Sequence, residues 1–192
     1  MTQEANEDDS HHQTASKGEC QDPNKLNEGE IMQYYSLNGV SGRFRMRSRL
    51  FRNYILQKLA ADPIHPKMTI AFQRMRGVNI GSNVYIGPHV HLDFLYPGLI
   101  TIEDHVSIGM HCMIFCHSNP TCSIWLKTHG FPRKVAPVTI KEGAWVPPGT
   151  IILPGVIIGE HSIVGAGSIV NRDVDPFTMV AGHPARLIRR LK

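Results

Sequence analysis

Between Ile80 and Asp175 an aliphatic side chain returns every six residues. The run reads Ile80, Ile86, Leu92, then Ile102, Ile108, Ile114, then Ile140, Val146, Ile152, and lastly Ile158, Val164, Val170. Four positions after most of these comes a second, usually smaller residue: Val84, Val90, Val106, Cys112, Ser118, Ala144, Thr150, Val156, Ser162, Ser168 and Val174. The position just after the aliphatic is often Gly or an acid, as at Gly81, Gly87, Asp93, Glu103, Gly109, Gly159 and Gly165. A period of six matches neither an amphipathic helix nor an alternating strand. It matches a solenoid in which a short strand and a turn repeat, with three repeats closing one triangular coil. The aliphatic and the small residue are expected inside, and the Gly and polar positions at the corners. Twelve aliphatics make about four coils of an all-β solenoid over residues 77–178.

Two interruptions break the count. Leu92 to Ile102 is ten residues, and Ile114 to Ile140 is twenty-six. The second extrudes a turn-rich segment, 119–137, holding Trp125, Lys127, Phe131 and Arg133. Insertions in solenoids fall on one face, often the binding face.

Upstream the pattern changes. Leu50, Tyr54, Leu59, Met68 and Phe72 suggest two short amphipathic helical segments within 31–76, broken at Asp62-Pro63 and His65-Pro66. Residues 1–30 lack apolar periodicity and are expected to form an unstructured acidic tail. Their eight acids against Lys17 and Lys25 give −6, so the net charge of +4 leaves +10 for the remainder. A basic body suits an anionic partner. Five arginines between Arg43 and Arg52 admit a membrane-surface or nucleic-acid patch. A solvated helical face, or one packed on the solenoid end, is the preferred reading, and no RNA motif or helix-turn-helix signature supports nucleic acid. No apolar run reaches membrane-spanning length, and the polar N-terminus does not read as a signal peptide. Cytoplasm is the expected compartment, with Cys20, Cys112, Cys116 and Cys122 as reduced thiols without metal spacing.

Histidines cluster in the early coils: His89, His91, His105, His111 and His117. In the second coil, His105, His111 and His117 each sit three residues after an aliphatic and should face different directions. His89 and His111 share a face on neighbouring coils, which admits a metal. His117 stands apart because it immediately precedes the long insertion, with Asp93 on the same face one coil earlier. Cys116 beside it lacks the surroundings of a thiol nucleophile.

The segment Val138–Asp173 (VTIKEGAWVPPGTIILPGVIIGEHSIVGAGSIVNRD), followed by VAGHPARLIRRL, resembles the hexapeptide-repeat acyltransferases of the maltose/galactoside O-acetyltransferase branch. The likeness covers Gly77–Lys192. It implies a left-handed parallel β-helix, acetyl-CoA as co-substrate, no metal, and a homotrimer with sites between subunits. It places the general base at His117; an imidazole suits removal of a proton from a hydroxyl that attacks a thioester. Asp93 corresponds to a polar position lining the acceptor pocket, where it can bind the acceptor or orient the base, and the neighbouring four-residue insertion, Tyr96 included, is expected to shape that pocket. Trp145, Pro148, Ala166, Asn171, Arg172, Arg186 and Arg189 fall at positions along the coenzyme groove. Arginine's fork of donors suits phosphate there. A short basic C-terminal helix is expected over 179–192. Val146-Pro147-Pro148 and His183 depart from the usual residues. The expected activity is O-acetylation of a sugar or glycan hydroxyl. A gamma-class carbonic anhydrase-like zinc enzyme, a serine acetyltransferase and a non-catalytic coenzyme A-binding scaffold remain as alternatives.

Overall fold

The computed structural model describes residues 22–192. Its centre is a parallel β-solenoid. Strands β1 (Asn79–Ile80), β2 (Tyr85–Ile86) and β3 (His91–Leu92) each enter a different sheet. The order repeats with β4 (Ile100–Ile102), β5 (Ser107–Ile108) and β6 (Met113–Ile114). The chain then leaves the prism through β7 (His117–Ser118), α4 (Ile124–Thr128) and β8 (Lys134–Val135), with β7 and β8 paired antiparallel. It re-enters as β9 (Val138–Ile140), β10 (Trp145–Val146) and β11 (Ile151–Ile152), followed by β12 (Ile157–Ile158), β13 (Ile163–Val164) and β14 (Ile169–Val170). The first sheet is β1-β4-β9-β12, the third is β14-β11-β6-β3, and in the second β2, β5, β10 and β13 stack in parallel. The ladder holds the six-residue register: Tyr85 opposes Ser107, Ser107 opposes Trp145, and Trp145 opposes Ile163.

The inward positions are those of the repeat. Ile86, Leu92, Ile102, Ile108, Ile114, Ile140, Val146, Ile152, Ile158, Val164 and Val170 are buried, as are Val106, Cys112, Ala144 and Val156. Each large aliphatic so buried contributes about 1.5–3 kcal/mol. Polar residues at the small position satisfy themselves locally: Thr150 Oγ1 donates to Pro147 O at 2.8 Å and Ser162 Oγ to Gly159 O at 2.7 Å. Three residues after the aliphatic the backbone turns left-handed, at Asn83, His89, His105, His111, Gly143, Gly149, Gly155, His161 and Gly167. Outside glycine, Asn and His tolerate that conformation comparatively well. The recurring histidines are therefore corner residues chosen by backbone geometry. Gly109 has a different reason: a Cβ there would lie 2.4 Å from Pro148 N and 2.6 Å from Pro148 Cδ, so the proline corner above requires it.

Helix α1 (Pro23–Tyr34) is capped by Asp22, whose carboxylate accepts from Asn24 N at 2.9 Å, and begins at a proline suited to the first helical turn. The unstructured tail expected over 1–30 is thus overtaken by helix from Pro23, and residues 1–21 lie outside the described residues. Helices α2 (Gly39–Ala61) and α3 (Pro66–Arg76) follow, broken where the two prolines fall. Their buried face differs from the expected apolar stripe. Tyr54 and Leu59 are exposed, whereas α2 and α3 bury Asn53, Gln57, Thr69, Gln73 and Arg76 beside Met46, Leu56 and Ala60. The first coil explains this, because its carbonyls have no preceding coil to meet them. Asn53 Nδ2 donates to Phe94 O at 3.2 Å and Gln57 Nε2 to Val90 O at 2.9 Å.

The basic C-terminal helix is also corrected. Thr178–Gly182 forms β15, parallel to β13 in the second sheet, and Ala185–Arg190 forms β16, antiparallel to β15. The last coil's open edge takes backbone partners, which a helix cannot offer. Among the described residues no helix is long and apolar enough to cross a membrane.

Candidate active site

His117 occupies the repeat offset that elsewhere carries a left-handed corner, yet its backbone is extended as the first residue of β7. The chain departs from the prism here rather than turning. Cys116, the last residue inside, is fully buried; Ser118, expected inward by the repeat, is exposed. The imidazole is held between the solenoid and the insertion with 23% of its side chain exposed.

Beneath it lies Asp93, fully buried at the end of β3. Its Oδ1 accepts from Leu95 N at 2.8 Å and Tyr96 N at 2.9 Å, and its Oδ2 accepts from Cys116 N at 2.7 Å. Oδ2 also meets His117 Nδ1 at 2.6 Å. Burial pushes the Asp93 carboxyl upward, but the bonds from His117, Tyr96 N and Cys116 N and the charge of the imidazole prevail and hold it below the usual carboxylate range. An ionised carboxylate only accepts, so Nδ1 carries a proton toward it, and in the neutral ring Nε2 is then the acceptor. The four extra residues after Leu92 make this possible. They fold into a turn capped by Asp93 and then a 3-10 turn, Pro97–Leu99.

Tyr96, in the insertion expected to shape the acceptor pocket, is 1% exposed. Its ring edge packs on His117, centroids 5.4 Å apart, and Tyr34 packs on Tyr96 at 4.5 Å. Arg133 Nη1 donates to its hydroxyl at 3.3 Å. Asp93 too is enclosed, its carboxylate taken up by Leu95 N, Tyr96 N, Cys116 N and the His117 ring.

Two supporting groups carry no periodic signal. Arg76, at the end of α3, is 3% exposed and donates through Nη2 to Leu92 O at 3.1 Å and Asp93 O at 2.8 Å, and through Nη1 to Gln73 Oε1 at 2.6 Å. Burial lowers its pKa to about 10, against the opposing pull of Asp93. The second group joins α1 to the insertion. Glu30 Oε2 accepts from Lys127 Nζ at 2.8 Å and Arg133 Nε at 2.7 Å. Asn27 Oδ1 accepts from Asn119 Nδ2 at 2.8 Å and Lys127 Nζ at 2.7 Å. Burial acts to raise the Glu30 carboxyl, while its bonds to Lys127 and Arg133 bring it below its ordinary value. The insertion so anchored borders an open pocket of about 690 Å³, lined by Ser118, Pro120, Leu126, Phe131, Pro132 and Lys134 among others.

Cys116 is no nucleophile: burial, then the nearby Asp93 charge, push its thiol up to about 12. The histidine pair His89 and His111 stacks with centroids 5.0 Å apart, and His89 Nε2 meets Asp62 Oδ1 at 3.2 Å. Among the described residues no group of three or more His, Cys, Asp or Glu is placed to hold a metal ion.

The positions assigned to a coenzyme groove separate into two places. Trp145 projects from the second sheet, 52% exposed. Pro148 and Ala166 occupy successive corners between the second and third sheets, stacked so that Gly167 N donates to Pro148 O at 2.9 Å. His183 Nε2 donates to Gly167 O on the same edge. Arg172 and Arg186 line a cavity of about 180 Å³ at the solenoid's end, and Asn171 and Arg189 are exposed nearby in sequence but outside its lining. His117 follows the third sheet, on a different edge of the prism from Pro148 and Ala166. One chain therefore does not bring the imidazole and that edge together.

Several known proteins are similar to this chain. The model described as bacterial transferase hexapeptide (six repeats) matches residues 137–172. A Schizosaccharomyces pombe protein named as a candidate acetyltransferase is 30% identical over 139 residues, 72% of this chain; the chain spans 64% of that relative's length. The structure of a hexapeptide-repeat acetyltransferase from Vibrio cholerae, complexed with acetyl coenzyme A, is 26% identical. It covers 86% of this chain and 98% of its own, with TM-score 0.60. A maltose O-acetyltransferase from Clostridium difficile, 21% identical over 77% of this chain and 88% of its own, shares the fold with TM-score 0.61.

Proposed function

We propose, from the premise that this chain is a hexapeptide-repeat protein akin to these acetyltransferases, that it is an acetyl-CoA-dependent O-acetyltransferase. The observation that carries the reading is the buried Asp93 holding His117 Nδ1 at 2.6 Å, on a ring that keeps 23% of its side chain exposed next to the insertion. Nε2 takes the proton of an acceptor hydroxyl as its oxygen attacks the thioester carbonyl. Collapse of the tetrahedral species breaks the carbon–sulfur bond, and the imidazolium returns its proton to the departing thiolate. The acceptor is a hydroxyl of a sugar or glycan precursor. The left-handed sense of the coil and the trimer come from the likeness to the family. The separation of His117 from the Pro148–Ala166 edge supports an assembly in which two chains complete each site.

The test measures thiol release from acetyl-CoA across a panel of sugars, glycans and serine, with His117→Ala beside the wild type. A fall of about 10²- to 10⁴-fold in kcat is expected for the variant. Equal rates would remove His117 from the mechanism, and turnover confined to serine would redirect the acceptor.

A further inference from the structure

Helix α2 carries Arg43, Arg45, Arg47, Arg49, Arg52 and Lys58 and no acid. Its inner face is occupied by Met46, Asn53, Leu56, Gln57 and Ala60. The opposite face is not polar. Val40, Phe44, Phe51 and Ile55, spaced four, seven and four residues apart, lie on one side of a helix. They are exposed by 82%, 72%, 69% and 40%. The five arginines are all exposed too. The acid that meets them is Glu28 of α1, 3.6 Å from Arg43 and 3.8 Å from Arg47. Arg49 lies over the Tyr35 ring at 4.1 Å.

We propose that this face of α2 docks on an anionic lipid surface. An outward apolar ridge flanked by long cationic side chains is what an interfacial helix presents: the ridge enters the headgroup boundary, and the arginines reach phosphates alongside. Each charge alone attracts any polyanion, but the ridge gains free energy only against an apolar phase. The same face of a second copy is disfavoured, because pairing would bring two sets of six cations together. The helix is not a detachable arm. Through Asn53 and Gln57 it holds the carbonyls of Phe94 and Val90, on the coil that contains Asp93, so docking would bring the solenoid and its candidate site to the lipid surface.

The experiment is vesicle flotation of the full chain with phosphatidylcholine alone and with phosphatidylcholine and phosphatidylglycerol mixed roughly three to one, at low salt and at about 0.5 M salt. The wild type should float with the anionic vesicles alone and release at high salt. Phe44→Ser with Phe51→Ser should weaken binding about tenfold or more, and Arg45→Ala about fivefold, each with an unchanged melting temperature. No flotation at low salt would overturn the proposal. So would a Phe pair variant that binds as the wild type does, or equal binding to a DNA duplex, since either leaves charge alone. Light scattering supplies a further outcome. A change of oligomeric mass in the Phe pair variant would assign the ridge to another copy of the chain and refute the lipid assignment.

Discussion

At the scale of single residues, Asp93 does the most with the least surface. Its two oxygens collect donors from Leu95, Tyr96, Cys116 and His117, a set an amide cannot accept in full. Asp93→Asn should lower kcat by about 10- to 100-fold, the worth of one charged hydrogen bond, while KM for acetyl-CoA stays near the wild-type value. Steady-state kinetics on both proteins checks it. The same carboxylate links stability to pH. Because it is held below its ordinary value in the folded chain, its contribution is fully present above about pH 4 and is lost as pH falls through the lower folded value. Urea midpoints measured downward from pH 5 should decline in the wild type and converge on those of Asp93→Asn. A constant gap between the two would contradict the assignment. The sequence reading placed Asp93 and His117 on one face because both occupy repeat offsets, which a solenoid converts directly into position. It did not predict that Tyr96 is enclosed, since the insertion has no periodicity from which to read an orientation.

At the scale of elements, the helices and the insertion act together. Glu30 of α1 pairs with both Lys127 and Arg133, whose side chains are 6% and 8% exposed. Glu30→Ala leaves both cations enclosed without a carboxylate and should cost about 2–4 kcal/mol. Thermal unfolding measures that cost. Hydrogen exchange should show faster exchange over α4 and β8 than over β9–β11, and uniform exchange would dissociate α1 from the insertion. None of this was legible beforehand. Asn27 and Glu30 have the composition of an unstructured segment, and their partners lie roughly a hundred residues away. The helices of 31–76 were visible from their proline breaks, but the buried side was not. Asn53, Gln57 and Arg76 are inside because they donate to carbonyls of an unfinished coil, a tertiary demand invisible to hydropathy. The last element failed similarly: Ala185–Arg190 reads as a basic helix until β15 offers it an edge.

At the scale of the whole molecule, the prism separates its chemistry. The imidazole stands where the chain leaves the third sheet, and Pro148 and Ala166 line another edge. The central claim is that a second copy brings the two together. Subunit complementation tests it most directly. His117→Ala keeps the coenzyme edge and loses the base; Ala166→Trp keeps the base and obstructs the edge. Each variant alone should be nearly inactive, and the two refolded together in equal amounts should recover about one quarter of the wild-type rate, because each interface draws one edge from each neighbour at random. A mixture as inactive as its components would contradict the account, and so would an Ala166→Trp protein that turns over at the wild-type rate.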